Sequence, residues 1–279
     1  FQAEDGIRAV ERSRGLGDVY KRQVMGILNV TPDSFYDGGL HYDLADTRKR
    51  VDAMIKEGAD IIDIGGESTR PGSKPVTIDE ELDRVIPAIK YITKNYDIPI
   101  SIDTQKSEVA KKAVEAGAHI VNDVGGLRND DMISVVAEMN VPVIMMHMQG
   151  TPDNMQKNPQ YGDVVEDIKE WLEERIKTAE MAGIKRSDIV VDPGIGFGKN
   201  LKHNLELLGR LNEFKGMAGG LLLGASRKSF IAMMSGNEEG DRLSGSLSAA
   251  IMGVTSGVDI LRVHDVKETL SAVNTVNFL

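Results

Sequence analysis

The stretch KSEVAKKAVEAGAHIVND, residues 106–123, decides the fold class because it contains a complete helix-to-strand unit. Its first part, residues 106–116, places apolar side chains at helical spacing. Gly117 follows, at the position where a left-handed residue ends many helices. Residues 119–123 then form an apolar run that ends in two polar residues. The stretch therefore predicts an α-helix that leads directly into a buried strand with a polar end.

The same unit repeats along the chain from residue 24 onward. A Gly-Ala junction like the one at Gly117 recurs at Gly58, and Gly183 follows a third helical segment. The predicted strands are residues 24–30, 61–64, 98–103, 119–123, 141–147, 189–192, 221–224 and 259–263. The predicted helices are residues 44–57, 79–95, 106–116, 130–139, 164–182, 201–214, 243–256 and 266–276. This alternation predicts a single α/β domain, a (β/α)8 TIM barrel, with a doubly wound open sheet as the alternative.

The composition agrees with a large globular domain and excludes several classes of protein. The 279 residues are 41% hydrophobic and 27% charged, with a net charge of −10. An acidic chain without a long basic run is not expected to bind nucleic acid. The absence of cysteine excludes disulfides and thiolate chemistry, so any metal must bind oxygen or nitrogen. No apolar run reaches the roughly 18 residues of a membrane span.

Residues 1–23 differ from the rest of the chain. They mix charged residues and glycines without a sustained period, and they resemble translated sequencing-adapter or vector text. We predict that this segment is not native and that residues 24–279 form the barrel domain. The segment also lacks the features of a secretory signal peptide, so we expect the cytoplasm as the location.

Polar residues follow every predicted strand at its carboxyl end, where barrel enzymes carry their active sites. Asp103, Asn122 and Asp192 end the third, fourth and sixth strands. Two carboxylates and one amide at the same level can bind the edge of a flat, nitrogen-rich heterocycle with guanidine-like N–H groups. Each residue alone could instead cap the following helix. Their shared position favours a heterocycle-binding site.

Basic residues follow the last two strands, on the side of a barrel that commonly binds phosphate. Lys228 comes after the seventh strand, while Arg262 and His264 lie at the end of the eighth. Their convergence predicts a phosphate or diphosphate ligand. Asn29 ends the first strand and could bind Mg²⁺ through its side-chain oxygen, with substrate phosphates supplying other ligands.

Two further motifs suggest chemistry that the rest of the sequence does not support. Residues 194–199, GIGFGK, look like a nucleotide loop but lack the spacing and the Ser or Thr of a Walker motif. We interpret them as a substrate loop in which Phe197 offers a ring face. His147 has no second histidine nearby, which favours a packed core histidine over a metal ligand.

A set of six motifs shares the order and spacing of a known family. The motifs are MGILNVTPDSF-x-DGG at residues 25–39, GGESTRPG at 65–72, DPGIGFGKN at 192–200, SRKS at 226–229, RLSGSL at 242–247 and RVHDVKET at 262–269. From about residue 24 to the C-terminus, the chain resembles dihydropteroate synthase. The resemblance implies a transferase of folate biosynthesis that joins 6-hydroxymethyl-7,8-dihydropterin diphosphate to para-aminobenzoate, with loss of diphosphate.

The resemblance also implies roles for individual residues. Asn29 would bind the Mg²⁺ that helps to hold the diphosphate, and Asp37 would steady the positive charge that develops on the pterin methylene. The implied catalytic residues are Asp37, Lys228, Arg262 and His264. The residues implied to bind the pterin diphosphate are Thr69, Asp103, Asn122, Asp192, Lys228, Arg262 and His264. The residues implied to line the para-aminobenzoate and sulfonamide pocket are Phe35, Thr69, Arg70, Pro71, Phe197 and Ser229.

Family resemblance further suggests a homodimer formed through outer helices. Two alternatives remain for the function. A pterin-binding methyltransferase shares the Asp and Asn arrangement, but GGESTRPG and SRKS favour the synthase. A non-catalytic binding barrel would have to keep polar residues at all eight strand ends without using them. One departure lies in the first loop, where Tyr36 stands in place of the serine that the family often has.

Overall fold

Hydrogen bonds between neighbouring parallel strands build the centre of the fold, as seen in a computed structural model. The structure describes residues 22–31, 44–68, 73, 75–236 and 240–276. The strands are β1 (Gln23–Asn29), β2 (Ile61–Gly65), β3 (Ile100–Asp103), β4 (Ile120–Asp123), β5 (Val143–Met146), β6 (Ile189–Asp192), β7 (Gly220–Leu223) and β8 (Ile260–Val263). The helices are α1 (Leu44–Glu57), α2 (Ile78–Asn95), α3 (Ser107–Glu115), α4 (Asp130–Met139), α5 (Val164–Met181), α6 (Leu201–Gly209), α7 (Ser229–Ser235), α8 (Leu243–Thr255) and α9 (Val266–Val276).

The strands close into a barrel because the first pairs with the last. Each strand pairs in parallel with the next along the chain, and β1 also pairs with β8 through a register that sets Gln23 beside Ile260. An open doubly wound sheet would leave two edges, so that alternative is wrong. The predicted (β/α)8 barrel is confirmed.

Local sequence signals account for most of the element boundaries. Gly58 and Gly117 follow α1 and α3 with φ angles of 99° and 115°, a region that glycine adopts without strain. Thr77 begins α2 through a capping box, in which its hydroxyl accepts from the Glu80 N–H and the Glu80 carboxylate accepts from the Thr77 N–H. The predicted helix-to-strand junctions therefore form for the expected reason.

Three boundaries differ from the predictions by more than one residue. β3 and β5 begin after Pro99 and Pro142, because proline has no N–H to give to a strand ladder. The predicted helix 201–214 ends at Gly209, and a 3-10 turn (Leu211–Phe214) continues it. The short helix α7 was not predicted, since its seven mostly apolar residues, which begin at the last residue of the SRKS motif, show no distinct period.

Strand alternation separates a barrel core from a polar mouth. The core is a cluster of buried side chains on seven strands, made up of Met25, Ile61, Ile120, Ile144, Val190, Leu222 and Ile260. Side chains two residues apart on a strand point to the same side, so the next inward layer lies toward the carboxyl end. That layer contains Asp63, Asn122, Asp192 and Arg262. The same alternation that fills the barrel thus presents charged residues at its mouth.

Replacing Leu222 with alanine should lower the free energy of unfolding by about 3 kcal/mol, because the side chain is fully buried in the barrel core and its loss leaves a cavity. Urea titration measures the change. Met181→Ala is the matched control, since that side chain is 82% exposed and its loss should cost less than about 0.5 kcal/mol. Equal effects of the two substitutions would contradict the packing described here.

Candidate active site

An ionic cluster crosses the barrel mouth from β8 to β2 and β3. Arg262 Nε donates to Asp63 Oδ2 at 2.6 Å, and Arg262 Nη2 donates to Asp103 Oδ2 at 2.5 Å. Asn122 Nδ2 donates to the same Asp63 carboxylate at 3.2 Å. The Asp63 side chain is fully buried, whereas Arg262 remains 17% exposed. The cluster therefore lies at the boundary between the barrel core and solvent.

Burial and shared charge shift the protonation of this cluster. Loss of water around Asp103 raises the pKa of its carboxyl group to about 7, although the positive charge of Arg262 acts in the opposite direction. Burial alone would lower the pKa of Arg262, but the charges of Asp63 and Asp103 raise it, so the guanidinium stays charged. Asp103 Oδ1 has no hydrogen-bond partner among the described residues. One buried acceptor thus remains available to a ligand.

Asp192 and Lys228 bring a second pair of opposite charges to the mouth. Burial raises the pKa of Asp192, while the charge of Lys228 acts against this rise. Burial lowers the pKa of Lys228 to about 8, while the charges of Asp192 and Asp103 oppose that fall. Lys228 Nζ donates to the Ile195 carbonyl and lies 4.3 Å from the centre of the Phe197 ring. The cation is therefore held between the carboxylates of the mouth and the loop after β6.

The loop after β6 is held from beneath by a buried lysine. Lys199, 2% exposed, donates to the Phe197 carbonyl at 2.8 Å and lies 3.1 Å from His147 Nδ1. Burial lowers the pKa of His147 to about 2, so its ring is neutral, and it packs edge-on against Trp171 at 5.0 Å. His147 is thus packed, as predicted. Lys199 donates to protein carbonyls within the barrel, whereas the lysine of a Walker motif contacts a nucleotide phosphate.

His264 lies beside the SRKS motif on the basic side of the mouth. Its backbone N–H donates to Ser226 Oγ at 3.2 Å, and its ring Nδ1 lies 3.1 Å from the same hydroxyl. Arg227 forms an ion pair with Asp265, at 2.5 and 2.8 Å. The loop after β7 and the end of β8 are therefore joined by direct contacts around the predicted phosphate side.

Asn29 fits a Mg²⁺ ligand by position and chemistry. A methyl group at Gly65 would lie 3.7 Å from Asn29 Oδ1 and 3.7 Å from Asp103 Oδ2, so the missing side chain leaves space between these oxygens. Oxygen ligands suit Mg²⁺, which often takes few protein ligands when a substrate supplies phosphate. Across the part of the chain that the structure describes, no group of three or more His, Asp or Glu side chains could hold a metal by itself.

The structure brings together most of the predicted residues that it describes. Asn29, Asp103, Asn122, Asp192, Lys228, Arg262 and His264 all lie at the carboxyl ends of the strands or in the loops that follow them. Ser229 is exposed at the start of α7, one residue after Lys228. The predicted residues Phe35, Asp37, Thr69, Arg70 and Pro71 lie outside the described residues, as do residues 1–21. β1 begins at Gln23, one residue before the predicted boundary of the barrel domain.

Sequence reasoning missed Asp63, which contacts both Arg262 and Asn122. A signal was present, because Asp63 is the only charged residue of the strand IIDIG and a buried charge requires a partner. The predicted site residues come from the ends of the strands and the loops that follow. Asp63 lies two positions before the end of β2. Ser226 is part of the SRKS motif, and its contact with His264 is visible only in the structure.

The fold is a (β/α)8 barrel, and its mouth gathers carboxylates, an amide and two cations, side chains that suit a polar, nitrogen-rich ligand beside an anion. The pterin binding enzyme family matches residues 25–264 of the chain. The dihydropteroate synthase of Escherichia coli strain K12 is 48% identical over 93% of this chain and 92% of its own length. The chain belongs to the pterin binding enzymes and, within them, to the dihydropteroate synthases, which are transferases. The family predicted from the six motifs is confirmed.

Solved structures agree with this assignment. The Yersinia pestis dihydropteroate synthase, solved with a sulfonamide drug, superimposes with a TM-score of 0.88 at 44% identity, covering 95% of this chain and 97% of that one. The Xanthomonas albilineans enzyme in complex with 7,8-dihydropteroate gives a TM-score of 0.83 at 40% identity, covering 93% and 94%. These relatives are synthases, which disfavours the methyltransferase alternative.

Among the described helices, none combines the length and apolar character needed to cross a membrane.

The pH dependence of stability should report the protonation of Asp103. Because folded Asp103 has a pKa of about 7, above its unfolded value, the folded state binds this proton more tightly. Acidification from about pH 8 to about pH 5 should therefore stabilise the wild type more than the Asp103→Asn variant. Urea unfolding at each pH measures the difference. Identical pH profiles for the two proteins would show that Asp103 titrates normally.

Proposed function

We propose that this mouth binds a pterin diphosphate and transfers its methylene carbon to the amine of para-aminobenzoate. The observation that carries the proposal is the meeting of buried carboxylates and an amide with Lys228 and Arg262 in one barrel mouth. A pterin diphosphate requires both the acceptors and the cations. Its ring presents N–H donors, and its tail carries negative charge.

Asp103, Asn122 and Asp192 bind the pterin ring in this proposal. The pterin edge contains the same N–C–N donor arrangement as a guanidinium, and the guanidinium of Arg262 already lies on Asp63 and Asp103. Asp103 Oδ1, which has no partner among the described residues, offers a buried acceptor for a ring N–H. A pterin N–H on Asp103 Oδ1 is compatible with Arg262 on Asp103 Oδ2, because the two donors use different oxygens of the carboxylate.

Lys228, Arg262 and His264 hold the diphosphate and stabilise its departure. The C–O bond between the methylene carbon and the diphosphate breaks, and the bonding electrons leave with the diphosphate. The amine nitrogen of para-aminobenzoate forms the new C–N bond and then loses one proton to solvent. Fixed positive charge near the leaving oxygen lowers the barrier most, because charge develops there in the transition state. Asp37 would steady the positive charge on the methylene carbon.

Phe197 and Ser229 form part of the para-aminobenzoate pocket, together with Phe35, Thr69, Arg70 and Pro71. The half-buried ring of Phe197 beside Lys228 supports this assignment, since it sets an aromatic face next to the reacting end of the pterin. Sulfonamides resemble para-aminobenzoate in shape, and the Yersinia pestis relative was solved with such a drug. We therefore include this chain among sulfonamide targets.

In this proposal Asn29 is the residue that would hold Mg²⁺. When bound, the ion would neutralise charge on the leaving group.

We further propose a homodimer through outer helices. The exposed apolar side chains Leu205 on α6, Met233 and Met234 on α7 and Met252 on α8 support it, because α6 packs against both other helices. The cytoplasmic location stays a prediction.

Lys228→Ala and Arg262→Ala should each reduce kcat/KM for dihydropteroate formation by about 100-fold or more, because each removes fixed positive charge from the leaving group. A coupled assay of diphosphate release measures the rate. Lys202→Ala, at an exposed lysine on α6, is the control and should retain the wild-type rate. Near-normal turnover in both site variants would rule out the proposed diphosphate site.

Chelation of divalent metal should abolish turnover, and added Mg²⁺ should restore it. Asn29→Ala should raise the Mg²⁺ concentration for half-maximal rate by about tenfold, because one of the few protein ligands is lost. Titration of Mg²⁺ at saturating substrates measures this shift. The binding of the pterin ring alone, measured by calorimetry with a pterin that lacks diphosphate, should not change. An unaltered Mg²⁺ requirement in the variant would exclude Asn29 as a ligand.

A further inference from the structure

Lys106 joins two acidic residues beneath the loop after β2. Its Nζ lies 2.5 Å from Glu67 Oε2 and 2.5 Å from Glu81 Oε2. Glu67 belongs to the loop after β2, Glu81 to the first turn of α2, and Lys106 to the loop between β3 and α3. None of these residues has a role in the proposed reaction.

The cluster is buried at one end and open at the other. The Glu81 side chain is fully buried, while those of Lys106 and Glu67 are 23% and 24% exposed. Burial alone would lower the pKa of Lys106, but hydrogen bonds to the two carboxylates raise it, so the lysine stays charged. Glu81 Oε1 has no partner among the described residues, so Lys106 is the cation that compensates this buried carboxylate.

Glu67 connects the two ends of the loop after β2. Its second oxygen, Oε1, accepts from the Val76 N–H at 3.3 Å, and Ser73 Oγ donates to the Ser68 carbonyl. The residues between these points in the sequence include Thr69, Arg70 and Pro71. The start and the end of this loop are therefore tied to one carboxylate, which Lys106 holds in place.

Helix α2 fixes the base of the same loop. Arg84 Nη1 donates to the Gly66 carbonyl at 2.8 Å, and a methyl group at Gly66 would lie only 2.8 Å from Val85 Cγ1 and 2.9 Å from Glu81 Cγ. The backbone at Gly66 therefore approaches α2 closely. Lys106 follows Asp103 by three residues, so the cluster links the loop of a pterin-binding carboxylate to the loop after β2.

We propose that Lys106 is a positioning residue that fixes the described ends of the loop after β2 and thereby supports the binding of para-aminobenzoate. This inference rests on the proposed function, which assigns the aromatic amine to that loop. Lys106 does not touch the reacting atoms. Lys106 acts through Glu67. The buried Glu81 holds the ammonium group of Lys106 in place.

Kinetics on the full-length protein separate this role from a general loss of stability. Lys106→Met should raise the KM for para-aminobenzoate about tenfold and change kcat less than about twofold, because a misplaced pocket weakens binding before chemistry. The Kd for the pterin diphosphate, measured by calorimetry, should stay within about twofold of wild type. Lys106→Arg should recover most of the affinity, since it keeps the charge and can contact both carboxylates.

Lys112→Met is the matched control because Lys112 lies on the neighbouring helix α3 and pairs with Glu115 at the surface. It should leave all three constants unchanged. If Lys106→Met does not fold, Glu67→Gln decides the question, because it keeps the pair between Lys106 and the buried Glu81. That variant should raise the KM for para-aminobenzoate about threefold.

Two outcomes overturn the inference while the proposed function stands. One is an unchanged KM for para-aminobenzoate in folded Lys106→Met or in Glu67→Gln. The other is an equal loss of affinity for both substrates, which would indicate a structural role only. Failure of the wild type to form dihydropteroate from the two substrates would instead reject the proposed function itself.

Discussion

The arrangement of side chains at the barrel mouth depends on the carboxylates that neutralise the charge of Arg262. A guanidinium on β8 lies against carboxylates on β2 and β3, so three strands contribute to one ionic cluster. Buried charge is costly unless it is paired and hydrogen-bonded, and Asp63 and Asp103 together satisfy that requirement. Two carboxylates for one guanidinium also leave Asp103 Oδ1 without a hydrogen-bond partner in the part of the chain that the structure describes. Among these described residues, one buried acceptor is therefore open to an N–H donor from outside the cluster.

The fold could be predicted because its signals are local. Gly117 ends a helix, an apolar run follows, and polar residues end that run. The eightfold repetition of this unit leaves few topologies open. The mouth could be predicted as well, since parallel strands in a barrel deliver their carboxyl ends to one rim. Both predictions use only the spacing of apolar residues along the chain and the direction of its strands.

The contacts across the mouth could not be predicted, because they join residues that are distant in sequence. Asp63 lies within its strand rather than at its end, and its partner Arg262 is 199 residues away. The contact of Lys106 with Glu67 depends on the packing of two loops against α2. Sequence period says which side of a strand a residue faces. It does not say which charge on another strand lies within hydrogen-bonding distance.

Two glycines determine how much room the mouth offers. Gly65 faces Asn29 and Asp103, and a methyl group at Gly224 would lie 3.7 Å from Asp192 Oδ2 and 4.0 Å from Arg262 Cβ. At such distances the protein itself would tolerate an added methyl, so the steric cost would fall on the ligand. Glycine is already the smallest residue, and every change at these codons can only shrink the mouth. Additional room for a bulkier ligand therefore cannot come from these two positions and has to come from other residues of the mouth.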